Sequence, residues 1–163
     1  MRKLFLIIFS ILALNACKAP EPKFEEGQAL QTSQLDLDLE KTTGEELNLK
    51  NIQKPIFLHF WGSWCPPCKA EMPSIEKLYQ KYGDKVEFIL IPINDEPEKY
   101  QAFLNENNIN MPVYEAKSLI DKDLMPKAFP TTYIIDKDKK VVKEAIGMHD
   151  WEGDDLQQLF VGF

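Results

Sequence analysis

Residues 60–73 read FWGSWCPPCKAEMP, and two of the chain's three cysteines stand there, Cys65 and Cys68, with only Pro66 and Pro67 between them. Immediately before, IFLHFW (56–61) follows Pro55 as a near-continuous apolar run, the pattern of a strand buried on both faces. Immediately after, Cys68, Met72, Ile75, Tyr79 and Tyr82 recur at helical spacing until Gly83, with Pro73 expected to bend the helix they form. Cys65 therefore falls at a strand-to-helix junction, in the N-cap position. A sulfur there faces the positive end of the helix dipole and backbone N–H groups that lack helical partners. Its thiolate is stabilised, so its pKa is expected to fall and its reactivity to rise. Pro66 suits the first helical position, where no N–H is needed. Pro67 removes a second donor, which leaves the Cys68 N–H as the natural partner of the Cys65 sulfur.

Cys68 lies one turn into that helix, within reach of Cys65 for a disulfide yet shielded from large partners. This divides the labour in thiol–disulfide exchange: Cys65 attacks a disulfide and Cys68 resolves the mixed disulfide that forms. Three other readings compete. A purely structural bridge across two residues closes too short a loop to stabilise much. A zinc site needs two more ligands, and only His59 and His149 exist besides acids. Haem attachment needs a histidine after the second cysteine, where Lys69 stands. No metal and no cofactor are expected.

Outward from this segment, LDLDLE (35–40) alternates apolar with acidic residues, the period of a half-exposed strand, and LNLKN (47–51) repeats the alternation after Thr43-Gly44. VEFILIPIN (86–94) is a second buried strand, PEKYQAFLNENN (97–108) a helix opened by Pro97, and MPVYEA (111–116) a short extended piece. Ser118 with Asp121 three residues on has a capping-box pattern and predicts a further helix. TTYIID (131–136) and VVKEAIG (141–147) read as two strands joined by a turn, with a final helix from about Asp154. This order predicts an α/β fold, a mixed central sheet flanked by helices.

The third cysteine, Cys17, ends a different pattern. MRK is a basic start, LFLIIFSILAL (4–14) an apolar stretch of signal-peptide length, and LNAC (14–17) resembles a bacterial lipobox, although Asn15 departs from its usual small or aliphatic residue. Residues 1–16 are thus expected to be a signal peptide, Cys17 the lipidated first residue, and 17–33 a polar tether before a domain spanning 34–163. The alternatives are an ordinary signal peptide with an incidental cysteine, or an uncleaved anchor. Each puts the domain outside the cytoplasm, in the periplasm if lipidated, where disulfides persist. The chain has 163 residues, one ordinary domain, and a formal charge of −7. That acidity argues against nucleic acid as a partner.

FWGSWCPPCKAEMP resembles the active-site segment of thioredoxin-fold proteins, specifically the extracytoplasmic TlpA/ResA/DsbE-like group. The resemblance runs over about residues 34–163: LDLDLEKTTGEELNLKNIQKPIFLHFWGSWC is similar to that group's N-terminal hairpin and catalytic strand, and AFPTTYIID to its cis-proline loop. It implies a thioredoxin-like fold with an N-terminal β-hairpin extension. By position it implies that Pro130 is a cis-proline beside the CxxC, and that the backbone of Phe129 pairs with a substrate chain. Trp64 offers flat apolar area to a partner peptide, while Trp61 is expected to be packing. Glu71 matches an acidic residue that ResA-like members place beside their cysteines, able to exchange a proton during reaction; the alternative is a solvated helix-surface Glu. His59 stands where the group carries other residues. Buried, it would have its pKa pulled down and could tune the site, or it could be an ordinary core histidine. His149 is expected at the surface, without a role.

The function implied is a membrane-tethered thiol:disulfide oxidoreductase, acting as a reductant on protein thiol/disulfide substrates such as apocytochrome c before haem attachment. A membrane thiol–disulfide electron donor would re-reduce it. An oxidase or isomerase of exported proteins, a non-catalytic binding module and a peroxidase are the alternatives.

Overall fold

The computed structural model describes residues 22–163, with the side chains of residues 154 and 155 outside the description. The expected signal peptide, Cys17 and the first part of the expected tether lie outside the described residues. In chain order the elements are β1 (Gln28–Ala29), β2 (Asp38–Lys41), β3 (Glu46–Asn48), β4 (Ile56–Trp61), α1 (Pro66–Tyr82), β5 (Glu87–Pro92), α2 (Pro97–Glu106), β6 (Tyr114–Ala116), β7 (Thr131–Ile135), β8 (Lys140–Ile146) and α3 (Asp154–Val161). Five strands form a mixed sheet in the order β1-β8-β7-β4-β5, with β4 parallel to β5 and antiparallel to β7. The β2–β3 hairpin takes up β6 to make a second, three-stranded sheet. This is the thioredoxin-like architecture with its N-terminal extension.

Strand β4 sits between β5 and β7 and all six of its residues are buried. Side chains alternate across a strand, so its two faces feed two cores. Phe57 and Trp61 pack with Met72, Ile75 and Leu78 of α1, Tyr100 of α2, and Trp151 and Phe160 near the C-terminus. Ile56, Leu58 and Phe60 pack on the other side with Leu37, Leu39 and Leu49 of the extension, Tyr133 and Ile135. Each such side chain contributes about 1.5–3 kcal/mol on burial. His59 shares the period-2 face of Phe57, with the rings stacked 6.1 Å apart, and so is carried in under α1.

Two expectations are corrected. Residues 118–125 form turns and bends, not a helix. Lys117 N–H extends the pairing with Asp38, and the Ser118 hydroxyl accepts from Asp38 N at 2.9 Å instead of capping. Pro126 has no N–H to carry a helical ladder on and disfavours helical conformation in the residue before it, so the single turn begun at Asp121 stops. Within 17–33, the stretch expected to be a tether, residues from Lys23 onward dock on the domain. Phe24 and Leu30 are buried, β1 pairs with β8, and Phe24 meets Tyr133 edge-on at 5.5 Å. Two apolar residues six positions apart in a polar segment carry no period, yet they suffice to cover a sheet edge.

Candidate active site

The site forms where β4 ends. Gly62 begins a tight turn, and a Cβ there would lie 2.4 Å from the Trp64 indole, so only glycine admits the ring. Asp95, after β5, accepts from the backbone N–H of Ser63 and, at 2.8 Å, from its hydroxyl. The Trp64 indole N–H donates to Ile93 O at 2.9 Å. The turn is therefore pinned to the neighbouring β5 end from two sides. Cys65 follows in extended conformation as the N-cap of α1, and its sulfur accepts from Cys68 N at 3.3 Å, with Pro66 and Pro67 filling the first two helical positions.

Cys65 and Cys68 are joined by a disulfide, with S–S 2.03 Å and Cα–Cα 5.3 Å. Cys65 keeps 3% of its surface and Cys68 none, so an incoming sulfur reaches only Cys65. The N–H that meets the Cys65 sulfur in the bridged form is in place to solvate a thiolate once the bridge opens. Trp64 is half exposed and stands edge-on to Phe129 at 5.4 Å. The Phe129–Pro130 peptide is cis, and Pro130 O accepts from Gly147 N at 2.8 Å, which ties this loop to the end of β8.

One turn beyond Cys68, Glu71 is buried, not on the solvated helix surface. Its Oε2 accepts from His149 N at 2.9 Å and Trp151 Nε1 at 3.0 Å. Burial pushes its pKa up to about 7, against the opposing pull of those two hydrogen bonds. His59, fully buried, has its pKa pushed down to about 3 by the same loss of solvation, and is neutral. Its Nε2 lies 3.7 Å from Glu71 Oε1, and its Nδ1 2.9 Å from Thr132 Oγ1. The structure thus gathers Trp64, Phe129 and the edge of Cys65 at the surface, with Cys68, Pro130, Glu71 and His59 buried beneath.

Four participants escape a reading of the sequence. Asp95, Thr132 and the segment that carries both His149 and Trp151 lie far apart in the chain, and only the fold assembles them. His149, expected at the surface without a role, is half-buried and contributes through its backbone N–H, while its ring Nδ1 donates to Gly147 O at 2.8 Å. A backbone donor leaves no mark in residue type.

Fold and site together define a thioredoxin-fold protein with a two-cysteine redox centre at a helix N-terminus. Comparison with known proteins narrows the class. Residues 30–144 match the AhpC/TSA family. The chain is 39% identical over 107 residues to the thiol-disulfide oxidoreductase ResA of Bacillus thuringiensis (strain Al Hakam), covering 64% of this chain and 62% of that protein. It is 31% identical over 157 residues to ResA of Bacillus thuringiensis subsp. konkukian (strain 97-27), covering 90% of this chain and 91% of that protein. The solved structure of a DsbF homologue from Corynebacterium diphtheriae superposes with a TM-score of 0.68 at 22% identity, covering 86% of this chain and 90% of that one, a likeness of fold. The chain belongs to the AhpC/TSA family and, within it, to the thioredoxin-fold, ResA-like thiol-disulfide oxidoreductases.

Proposed function

We propose that this protein is an extracytoplasmic thiol–disulfide oxidoreductase, held at a membrane by a lipid on Cys17 and working as a reductant of protein disulfides. The observation that carries the reading is the Cys65–Cys68 bridge at the start of α1, open to solvent only at Cys65 and flanked by Trp64 and the Phe129–Pro130 loop. Among the described residues no helix is long and apolar enough to cross a membrane, and the proposed anchor, Cys17, lies before them.

In the reduced form the Cys65 thiolate, supported by the Cys68 N–H, attacks one sulfur of a substrate disulfide. The substrate S–S bond breaks, its electron pair leaves with the other substrate sulfur, and a Cys65–substrate mixed disulfide remains. Cys68 then loses its proton to the Glu71 carboxylate and attacks Cys65 Sγ. The mixed disulfide breaks, the second substrate thiolate departs, and the Cys65–Cys68 bridge is restored. A dithiol donor in the membrane reopens it by the reverse exchange. A Glu71 pKa near neutrality suits a group that both takes and returns a proton. The N–H and C=O of Phe129 make no backbone hydrogen bond among the described residues, which leaves them free to pair with an extended substrate segment. Protein substrates of this kind include apocytochrome c, whose haem-binding cysteines must be held as thiols before haem attachment.

The test is insulin reduction driven by a dithiol, together with trapping by Cys68→Ser in cells. Turnover lost in Cys65→Ser, a covalent protein partner on Cys65 of the trap, and a low reduction potential are expected. Undiminished turnover in Cys65→Ser would refute the assignment, and a strongly oxidising potential would reassign the protein as an oxidase.

A further inference from the structure

Two buried polar atoms near the redox centre lack hydrogen-bond partners and face each other: Nε2 of His59 and Oε1 of Glu71, 3.7 Å apart. An unmet polar atom in a protein interior costs about 1–3 kcal/mol, so two opposed ones imply a contact that is made in another protonation state. At 3.7 Å no hydrogen bond exists between them while the disulfide is closed.

What each atom can do depends on the His59 tautomer, and Thr132 decides it. His59 and Thr132 are directly paired across β4 and β7, so sheet register alone brings Oγ1 to 2.9 Å from Nδ1. Among the described residues the Thr132 hydroxyl has no other partner. If Nδ1 carried the proton, the hydroxyl hydrogen would be left without an acceptor in the core, and the Nε2 lone pair would point at a carboxylate oxygen. If the hydroxyl donates to Nδ1, its hydrogen is satisfied and Nε2–H points at Oε1.

We infer that Thr132 and His59 are positioning residues for Glu71: the Thr132 hydroxyl locks His59 as the Nε2–H tautomer, which supplies a third, uncharged donor to Glu71 when it ionises. The inference rests on the proposed exchange chemistry for its purpose, and on geometry for its content. The ionised Glu71 would then hold His149 N–H and Trp151 Nε1–H on Oε2 and His59 Nε2–H on Oε1. The strongly depressed pKa of His59 fits a donor that stays neutral. The groups facing Glu71 are His59 from β4, the cysteine pair on its own helix, and His149 and Trp151 after β8. The His149 ring is turned to Gly147 O, and Glu76 on α1 is engaged with Gln80 and with Asn110 N. Glu71 therefore has His59 as its one side-chain donor on the Oε1 side among the described residues.

The experiment uses the full-length oxidised chain. Ring ¹⁵N shifts at pH 7 read the tautomer, with His59→Leu separating the signals of the chain's two histidines. A bare Nδ1 and protonated Nε2 at His59 are expected, and the opposite tautomer would overturn the inference even if Thr132→Val does not fold. The ¹³C-carboxyl titration of Glu71 reads the donor. His59→Leu is expected to raise its midpoint by about one pH unit, the scale of one hydrogen bond to the charged form. Thr132→Val should raise it by less and Thr132→Ser restore it. An unmoved midpoint in His59→Leu overturns the donor role, and one unmoved in Thr132→Val overturns the lock. Insulin turnover of the wild-type chain is measured alongside: its absence counts against the exchange reading and leaves tautomer and midpoint fully readable.

Discussion

Removing either half of the buried His59–Glu71 pair should tilt the pH dependence of folding stability, in opposite directions. Glu71 holds its proton to about pH 7 when folded, against an ordinary value of 4.5. Its contribution is therefore fully present below 4.5 and is lost as pH rises through 7. His59 resists protonation down to about pH 3 when folded, against an ordinary 6.5. Its contribution is present above 6.5 and is lost as pH falls towards 3. Both windows include pH 4.5 to 6.5, where one group makes stability fall with pH and the other makes it rise. Each slope is about 1.4 kcal/mol per pH unit, so in the wild-type chain they cancel there. Glu71→Gln leaves His59 alone, and stability should climb by about 3 kcal/mol across that window relative to wild type. His59→Leu leaves Glu71 alone, and stability should drop by a similar amount. The glutamine keeps an acceptor for His149 N and Trp151 Nε1, so the comparison isolates charge. The assay is equilibrium urea unfolding of the oxidised chain at half-unit pH steps, read against wild type so that all other carboxylates drop out. Parallel curves for the three proteins would refute the reasoning, because they would mean that neither group titrates abnormally in the folded state.

Other perturbations read other parts of the molecule. Asp95→Ala removes both holds on Ser63 and should cost about 1–2 kcal/mol in unfolding free energy, while lowering insulin turnover several-fold because the Trp64 turn loosens; an unchanged rate would separate that turn from the reaction. Trp64→Ala should raise KM for a protein disulfide and leave reduction of a small aromatic disulfide unaltered, and equal loss on both would argue against a docking role. Phe24→Ala opens the contact with Tyr133 and should destabilise by about 3 kcal/mol; a chain as stable as wild type would mean that the segment before β2 only rests on the sheet.

Much of this molecule is legible from residue order because local physics dictates it. The apolar run 56–61, the helix that Pro66 opens and Gly83 ends, and the N-cap position of Cys65 depend on neighbours within one or two turns, and the strand and helix limits observed follow them closely. The cis-proline and a carboxylate beside the cysteines came through resemblance, which supplies positions without supplying their surroundings; that the carboxylate is buried only the structure shows. Where local patterns misled, a long-range partner outbid them: Ser118 bonds to Asp38, eighty residues earlier, instead of capping, and Phe24 and Leu30 find a sheet that their own polar segment gives no hint of.

The order of residues, by itself, determined that one sulfur sits at the head of a helix with its partner a turn deeper, since that needs nothing beyond a strand, two prolines and a helical repeat. Tertiary structure alone decided what surrounds the proton. His59 meets Thr132 through strand register and Glu71 through the packing of α1 on β4, and Glu71 takes its other donors from a segment about eighty residues away. Desolvation and hydrogen bonds across such distances are properties of the packed interior, and no window of sequence contains them.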